Sequence, residues 1–402
     1  MISLDNAQKI IISNSTNGKK IKLSPQDSVG FTLAENIFSR DDIPFFNNSA
    51  MDGYAVRHED LSAARKNTPV ALKVLGAIKA GDWGNFSVRR GETYEIFTGA
   101  PMPLGATSVA IVENTKRKNK QVEIFYSVKP GENVRFKGEE IKKGALIIKR
   151  GALITPEVSG IIANLGYGKI SAYKMPDIGI IITGSEVSDS KKPLKKGKVR
   201  DLNSITLSGL CGELKIKPLF IKRVTDDKKS LASLINAAIK SCDYVIITGG
   251  VSMGKYDLVR ETLRNAGARE VFWKIAVKPG KPFYFSKKNK TLIFGLPGNP
   301  ASVITSFYEL VRPSLLHNMG HKNSFLPSAK ALLDAPLKKK TDRLYIYRGH
   351  YYFKDEKIRV KILEKQGSNQ LVSFIDTNCF VKIPAKISEI SAGKKVDIDI
   401  LR

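Results

Sequence analysis

Three short apolar runs in this chain each end in glycine, and that recurrence restricts the fold more than any other feature. Asp177-Ile178-Gly179-Ile180-Ile181-Ile182 leads into Thr183-Gly184-Ser185-Glu186, and Tyr244-Val245-Ile246-Ile247 leads into Thr248-Gly249-Gly250. The third run, Leu292-Ile293-Phe294, leads into Gly295-Leu296-Pro297-Gly298. A continuous apolar run of this length between turn formers reads as a strand buried on both faces. Helix-like spacing covers 204–214, 230–240 and 257–265, with further strands expected over 219–224 and 270–277. Strand alternating with helix predicts a doubly wound α/β domain, its sheet mostly parallel with helices on both faces. Ligands of such folds sit at the carboxyl ends of the strands.

The flanking stretches have another texture. Residues 1–45 read as helix and then extended chain. Residues 46–137 carry β-branched runs broken by glycine, at 70–78, 92–97, 108–113 and 121–128, which predicts a small β-rich domain. From about residue 322, short alternating strands at 344–348, 351–354, 358–363, 379–383 and 396–401 predict a compact β-barrel.

Composition excludes several classes. Cys211, Cys242 and Cys379 form no C-x-x-C pair, so neither a disulfide framework nor a zinc site is expected. His317 and His321 are spaced for one helix face but lack the Glu of H-E-x-x-H, and read as a surface helix end. No apolar run is long enough for a membrane span, and the N-terminus has no signal-peptide pattern, so a cytoplasmic protein is expected. The net charge of +28 favours anionic partners. The lysines are dispersed along the whole chain, so the charge reads mostly as background, slightly favourable to small anionic ligands. No nucleic-acid-reading motif accompanies it.

Three glycine-rich loops in register could cradle phosphate, because glycine lets backbone N–H groups approach an anion closely. They are 183–186, 248–257 with Gly249, Gly250, Ser252 and Gly254, and 295–302 with Pro297, Gly298, Asn299, Pro300 and Ser302. No Walker A loop and no G-x-G-x-x-G occurs, which argues against ordinary nucleotide hydrolysis and dinucleotide redox chemistry. Lys274, Lys278 and Lys281 surround a proline-stiffened turn and form a candidate cluster of fixed cations. Each could contribute about 1.5–3 kcal/mol to an anion contact. Glu186, Asp201 and Asp257 stand just past a strand or at a helix start. Asp201 and Asp257 are natural helix caps; near phosphate-cradling loops the three could instead hold a hydrated Mg2+.

The string Asn48-Ser49-Ala50-Met51-Asp52-Gly53-Tyr54-Ala55 closely resembles the signature of molybdopterin molybdenumtransferases. So do Thr98-Gly99-Ala100-Pro101, Thr248-Gly249-Gly250-Val251-Ser252, Lys278-Pro279-Gly280-Lys281-Pro282 and Gly295-Leu296-Pro297-Gly298-Asn299-Pro300. Their order spans essentially the whole chain. The resemblance implies a molybdopterin-binding α/β domain over 175–321, a β-rich domain over 46–137 inserted into a split, elongated N-terminal domain (1–45 and 138–174), and a barrel over 322–402. It implies a homodimer with the active site between subunits, where Asp52 and Thr98 act across the interface. The implied reaction takes adenylated molybdopterin and molybdate to molybdenum cofactor and AMP, with Mg2+.

By position, Lys278, Lys281 and Ser302 would contact molybdate or phosphate, joined by Arg348 and Ser368 from the barrel. Glu186, Asp201, Asp257 and Lys274 fall on positions of the family's catalytic pocket, the three acids as its metal set. Glu140 stands where the family usually has Asp, which moves the carboxylate by about 1.5 Å. A molybdopterin adenylyltransferase and apo-molybdoenzymes are the partners implied, with no nucleic acid and no membrane. The alternatives are that adenylyltransferase itself, which would need only the α/β part, or a scaffolding protein like the related domain of gephyrin.

Overall fold

The computed structural model describes residues 1–189, 193–250 and 258–402. The chain forms two compact units, one from residues 1–35, 150–159 and 169–402, the other from 36–149 and 160–168. No helix among the described residues is long and apolar enough to cross a membrane.

The larger unit is built on a six-stranded sheet. Its order is Phe220–Val224, Ile178–Thr183, Tyr244–Thr248, Thr291–Leu296, Tyr284–Lys288, Arg269–Trp273. The first four strands run parallel and the last two return antiparallel. Side chains alternate across a strand, and the three central strands show it. Ile180, Ile246 and Phe294 enter one core with Leu207, Val303 and Phe307, while Ile181, Ile247 and Ile293 enter the other with Leu231, Ile235, Val259 and Leu263. Both faces are therefore covered by helices. Asp227 starts one of them, Lys228–Ser241, by accepting from the Ser230 amide at 2.8 Å.

Two expectations for this sheet change. The strand expected over 270–277 stops at Trp273, because Lys274 takes a left-handed backbone with φ of 69°. Val277–Lys278 leaves the sheet and pairs in parallel with Leu344 and Tyr345 of the C-terminal region. Strand Tyr284–Lys288, whose two lysines mask its apolar start, was not anticipated.

Five strands close the C-terminal barrel: Ser328–Leu333, Leu344–Lys354, Lys357–Ile362, Cys379–Ile383 and Lys395–Ile400. The segments 344–348 and 351–354, expected as two strands, are one continuous strand. Val360, Cys379, Val381 and Ile398 are fully buried at its centre. The N-terminal helix Leu4–Asn14 buries Leu4, Ala7 and Ile11, three and four residues apart, against the first core.

The smaller unit carries its own six-stranded sheet, in which Gly53–Val56 lies between Ser108–Ile111 and Glu92–Ile96. The strands expected near 70–78, 92–97, 108–113 and 121–128 are all present, the last of them shorter. Tyr54, Val56, Leu72, Ala110, Val122 and Ile124 form its core.

A buried ionic cluster ties three parts of the larger unit together. Lys382 and Asp399 come from barrel strands, Glu309 from the π-helical turn Phe307–Val311, and Gln8 from the N-terminal helix. Lys382 sits 2.9 Å from Glu309 and also pairs with Asp399, so two carboxylates share one ammonium. Burial, with the charge of Asp399, pushes the Glu309 carboxyl up to about 7 despite Lys382. A carboxyl that holds its proton more firmly when folded stabilises the fold below its unfolded value of 4.5. That contribution fades as pH rises toward 7. Glu309→Gln should therefore flatten the loss of thermal stability between about pH 4.5 and 7; melting curves with the same slope as the parent protein would remove Glu309 from that dependence.

Candidate active site

The in-register pairing of the central strands brings their glycine loops to one sheet edge, as the sequence implied. There they line a cavity of about 720 Å3, with walls that include Glu186, Asp201, Asn203, Asp226, Gly249, Gly250, Pro297, Gly298, Asn299 and Pro300. The loops pack on one another without intervening side chains. Gly249 has φ of 83°, and a Cβ there would lie 2.7 Å from the Thr183 hydroxyl and 2.9 Å from its carbonyl oxygen. Gly184, with φ of 132°, leaves room for Glu186, whose carboxylate oxygens lie 2.8 Å from where a Cβ would stand. Glycine is required at both positions, and the exposed Glu186 carboxylate folds back over the strand end.

Asp201 lines the same cavity but is already engaged. One oxygen accepts from the Ser204 amide at 3.0 Å, capping helix Asn203–Glu213, and the other lies 3.8 Å from the Arg223 guanidinium. Only 4% of it is exposed. The expected helix-start role thus holds for Asp201, whose carboxylate bonds the first turn of the helix. Asn203, which sequence reasoning passed over, donates to the Gly298 carbonyl at 2.9 Å and stitches two loops together. Asp226, also missed, accepts from the amide and hydroxyl of Ser185.

A second cavity, of about 670 Å3, shares Pro282, Pro297 and Asn299 with the first. Lys278, Lys281, Ser302 and Ser368 line it, together with Lys338, Lys339, Lys340, Arg343, Tyr345 and Gln366. No acidic side chain does, among the described residues. The two sides differ in charge: three carboxylates with one arginine, Arg200, on one side of the shared wall, and six basic side chains with no acid on the other.

Arg348 does not reach this cavity, and its expected direct contact with an anion is corrected. It is 1% exposed. Its Nε donates to the Ser373 hydroxyl at 2.6 Å and its Nη2 to the carbonyls of Lys365 and Gly367 at 2.6 and 3.2 Å. Gln366 bonds the Arg348 backbone on both sides. Arg348 therefore positions the loop that carries Ser368. That loop is bound in turn to the glycine loop, since Asn299 donates to the Ser368 hydroxyl at 3.2 Å and the Ala301 amide to its carbonyl at 3.1 Å.

Lys274 lines neither cavity; its ammonium lies 3.6 Å from the Trp273 ring centroid, and the Arg260 guanidinium lies 3.7 Å from the same centroid. Ser252, Gly254 and Asp257 lie outside the described residues. Asp52 and Thr98 belong to the smaller unit. There Asp52 Oδ1 accepts from both the amide and the hydroxyl of Thr98 at 2.8 Å, and these bonds hold its carboxyl below the usual range. Glu140 has its amide on the Ile43 carbonyl at 3.1 Å and lines neither cavity. His317 closes a helix as expected, though both it and His321 are half-buried.

Comparison with known proteins agrees with this architecture. Residues 2–166 match the MoeA N-terminal region (domain I and II), 179–317 a probable molybdopterin binding domain, and 330–401 the MoeA C-terminal region (domain IV). The chain is 34% identical to the molybdopterin molybdenumtransferase of Haemophilus influenzae, over 99% of this chain and 98% of that one. It is 28% identical to the Bacillus subtilis protein of the same name, over 100% and 94%. Two crystal structures of the molybdopterin biosynthesis moeA protein from Pyrococcus horikoshii superpose with TM-scores of 0.86 and 0.84 at 30% and 29% identity. Each covers 100% of this chain, with 99% and 100% of its own. The fold is that of a molybdenum cofactor biosynthesis protein. The chain belongs to the molybdopterin molybdenumtransferase family.

The Arg348 contacts are checked by Arg348→Lys, which keeps the charge and loses the fork. The substitution should cost about 1–3 kcal/mol in stability. It should also speed amide exchange at Gly367 to Gln370, whereas unchanged exchange there would show that Arg348 does not hold the loop.

Proposed function

We propose that this protein inserts molybdenum into adenylated molybdopterin, converting it with molybdate into molybdenum cofactor and AMP. The observation that carries the reading is the shared wall: a glycine-lined cavity bearing carboxylates adjoins an acid-free cavity lined by lysines. The two substrates differ in the same way. An adenylate brings a phosphoanhydride, which needs close backbone approach, and molybdate is a divalent oxyanion that needs fixed cations and hydroxyls.

In this arrangement the phosphoanhydride lies along Gly249, Gly250 and Gly298, where the absence of side chains admits it. Lys278, Lys281 and the hydroxyls of Ser302 and Ser368 hold the oxyanion across Pro297 and Asn299 from it. Arg348, through its loop, keeps Ser368 in place. Attack on the adenylate phosphorus by a water that molybdate positions breaks the P–O–P bridge; the water oxygen ends in AMP, and the bridging oxygen stays on the molybdopterin phosphate. The two dithiolene thiols then bind the molybdenum of molybdate as one of its oxygens leaves as water, with no change of oxidation state.

The donor set also fits Mg2+, a hard cation that binds through one or two carboxylates and keeps several waters. Glu186 would hold it, with Asp201 behind; Asp257 is the third residue of the expected set. When bound, the ion would neutralise charge on the phosphoanhydride. The same reading makes the protein a homodimer whose Asp52 and Thr98 serve the partner's cavity. At a molybdate concentration limiting for Lys278→Ala, mixing Asp52→Ala and Lys278→Ala subunits should then give more activity than either alone, and a mixture no more active than its components would refute the shared site.

The first test is AMP release from adenylated molybdopterin with Mg2+, with and without molybdate. Molybdate-dependent release that activates an apo-molybdoenzyme is the expected result. Formation of the adenylate from molybdopterin and ATP, with no release, would make the protein an adenylyltransferase instead. Lys278→Ala should raise the molybdate concentration for half-maximal release by about tenfold or more, the equivalent of one charge-assisted hydrogen bond.

A further inference from the structure

The acid-free cavity holds more positive charge than the Lys278–Lys281 turn supplies, and the additional charge comes from the barrel segment 338–343. Its four basic side chains are not equivalent. Lys338 pairs with Glu389 at 3.3 Å, and Arg343 pairs with Asp342. Lys340 is exposed to solvent. Lys339 alone of the four is half-buried with no carboxylate within ion-pair distance among the described residues.

Its surroundings fix it in place. The Lys339 amide donates to the Ser388 carbonyl at 2.8 Å. Its ammonium donates to the carbonyls of Lys340 at 2.9 Å and Ala385 at 3.4 Å, which leaves one of its three N–H groups. The ammonium also lies 4.8 Å from the centroid of the Tyr345 ring, and Lys278 lies 5.0 Å from the same centroid. One buried aromatic ring thus gathers a family-pattern lysine from the α/β region and a second lysine from the barrel.

From this geometry we infer that Lys339 is a further oxyanion-binding residue, acting with Lys278 on the same divalent anion. The inference rests on the reading of this cavity as the molybdate site. Two like charges gathered on one ring repel each other, and a half-buried ammonium without a counter-charge is unfavourable. Both terms are relieved when a dianion enters. Burial accordingly lowers the Lys339 pKa, against the weaker opposing field of Asp342. Neutral carbonyls hold the ammonium's position without cancelling its charge, so it stays available to a ligand. Tyr345 is the support for both lysines.

The test is calorimetric titration of sodium molybdate alone into the full chain and into four variants of matched melting temperature. Lys339→Gln should weaken binding about tenfold, as Lys278→Gln does. Lys339→Arg should recover most of the loss. Lys361→Gln, a barrel lysine outside both cavities, controls for the overall charge. If Lys278→Gln weakens binding while Lys339→Gln behaves like Lys361→Gln, the inference fails and the cavity reading stands. If the parent chain binds no molybdate, or Lys278→Gln binds as tightly as the parent, the cavity reading itself fails and the inference falls with it.

Discussion

Burial of the three central strands on both faces is the constraint on which the site depends. Ile180, Ile246 and Phe294 enter one core and Ile181, Ile247 and Ile293 the other, so none of these strands can slip by one residue without reversing its burial. Register is thereby set from both sides. It is register that brings Thr183, Thr248 and Leu296 to one edge, and the loops that follow them into contact. The site is a by-product of core packing up to that edge; beyond it, glycine takes over. Gly249 against Thr183 leaves no volume for a side chain, and Gly184 takes a backbone, φ of 132°, that other residues rarely adopt.

Much of this was legible in the sequence because the signals are local. Apolar runs ending in glycine mark strands and the loops at their ends, and helical spacing marks the coverings. Glu186, Gly249, Gly250, Lys278, Lys281, Pro297, Gly298, Asn299, Pro300, Ser302 and Ser368 do line two adjoining cavities. The division of labour behind them was not legible. Whether an arginine in a family-like motif touches a ligand or supports a loop depends on what stands around it in space. Arg348 finds Ser373 through Nε and the carbonyls of Lys365 and Gly367 through Nη2, while its buried Nη1 has no partner among the described residues. Asp201 likewise meets the two partners that a carboxylate at a helix start most often finds, a backbone amide and a nearby guanidinium.

The other misreadings share a cause. Strand Tyr284–Lys288 hides behind its two lysines, and the departure of Val277–Lys278 into the barrel sheet follows a left-handed residue, Lys274, which no spacing argument locates. That departure has a functional consequence. Because Val277 and Lys278 pair with Leu344 and Tyr345, the lysine turn is fastened to the barrel instead of hanging from the α/β sheet alone. The second cavity is therefore walled by two parts of the chain, and its cations keep their separation through backbone hydrogen bonds, which long lysine side chains alone would not ensure.

The bulk charge of the chain takes on a different meaning in this light. Sixty-six basic residues against thirty-eight acidic ones make any basic surface unremarkable, and dispersed lysines contribute little beyond a general field that salt screens. What distinguishes the second cavity is the removal of acids from it, together with the partial burial of Lys281 and Lys339. Lys338 and Arg343, at its edge, are neutralised by Glu389 and Asp342. Lys278, Lys281 and Lys339 have no such pairing among the described residues. Across Pro297 and Asn299 the balance shifts, with Glu186, Asp201 and Asp226 lining the glycine-loop cavity beside a single arginine, Arg200. Under the proposed reaction, a wall between such unlike linings would sort two anionic substrates by their needs: the one that arrives with a metal ion would meet the carboxylates, and the bare oxyanion the lysines.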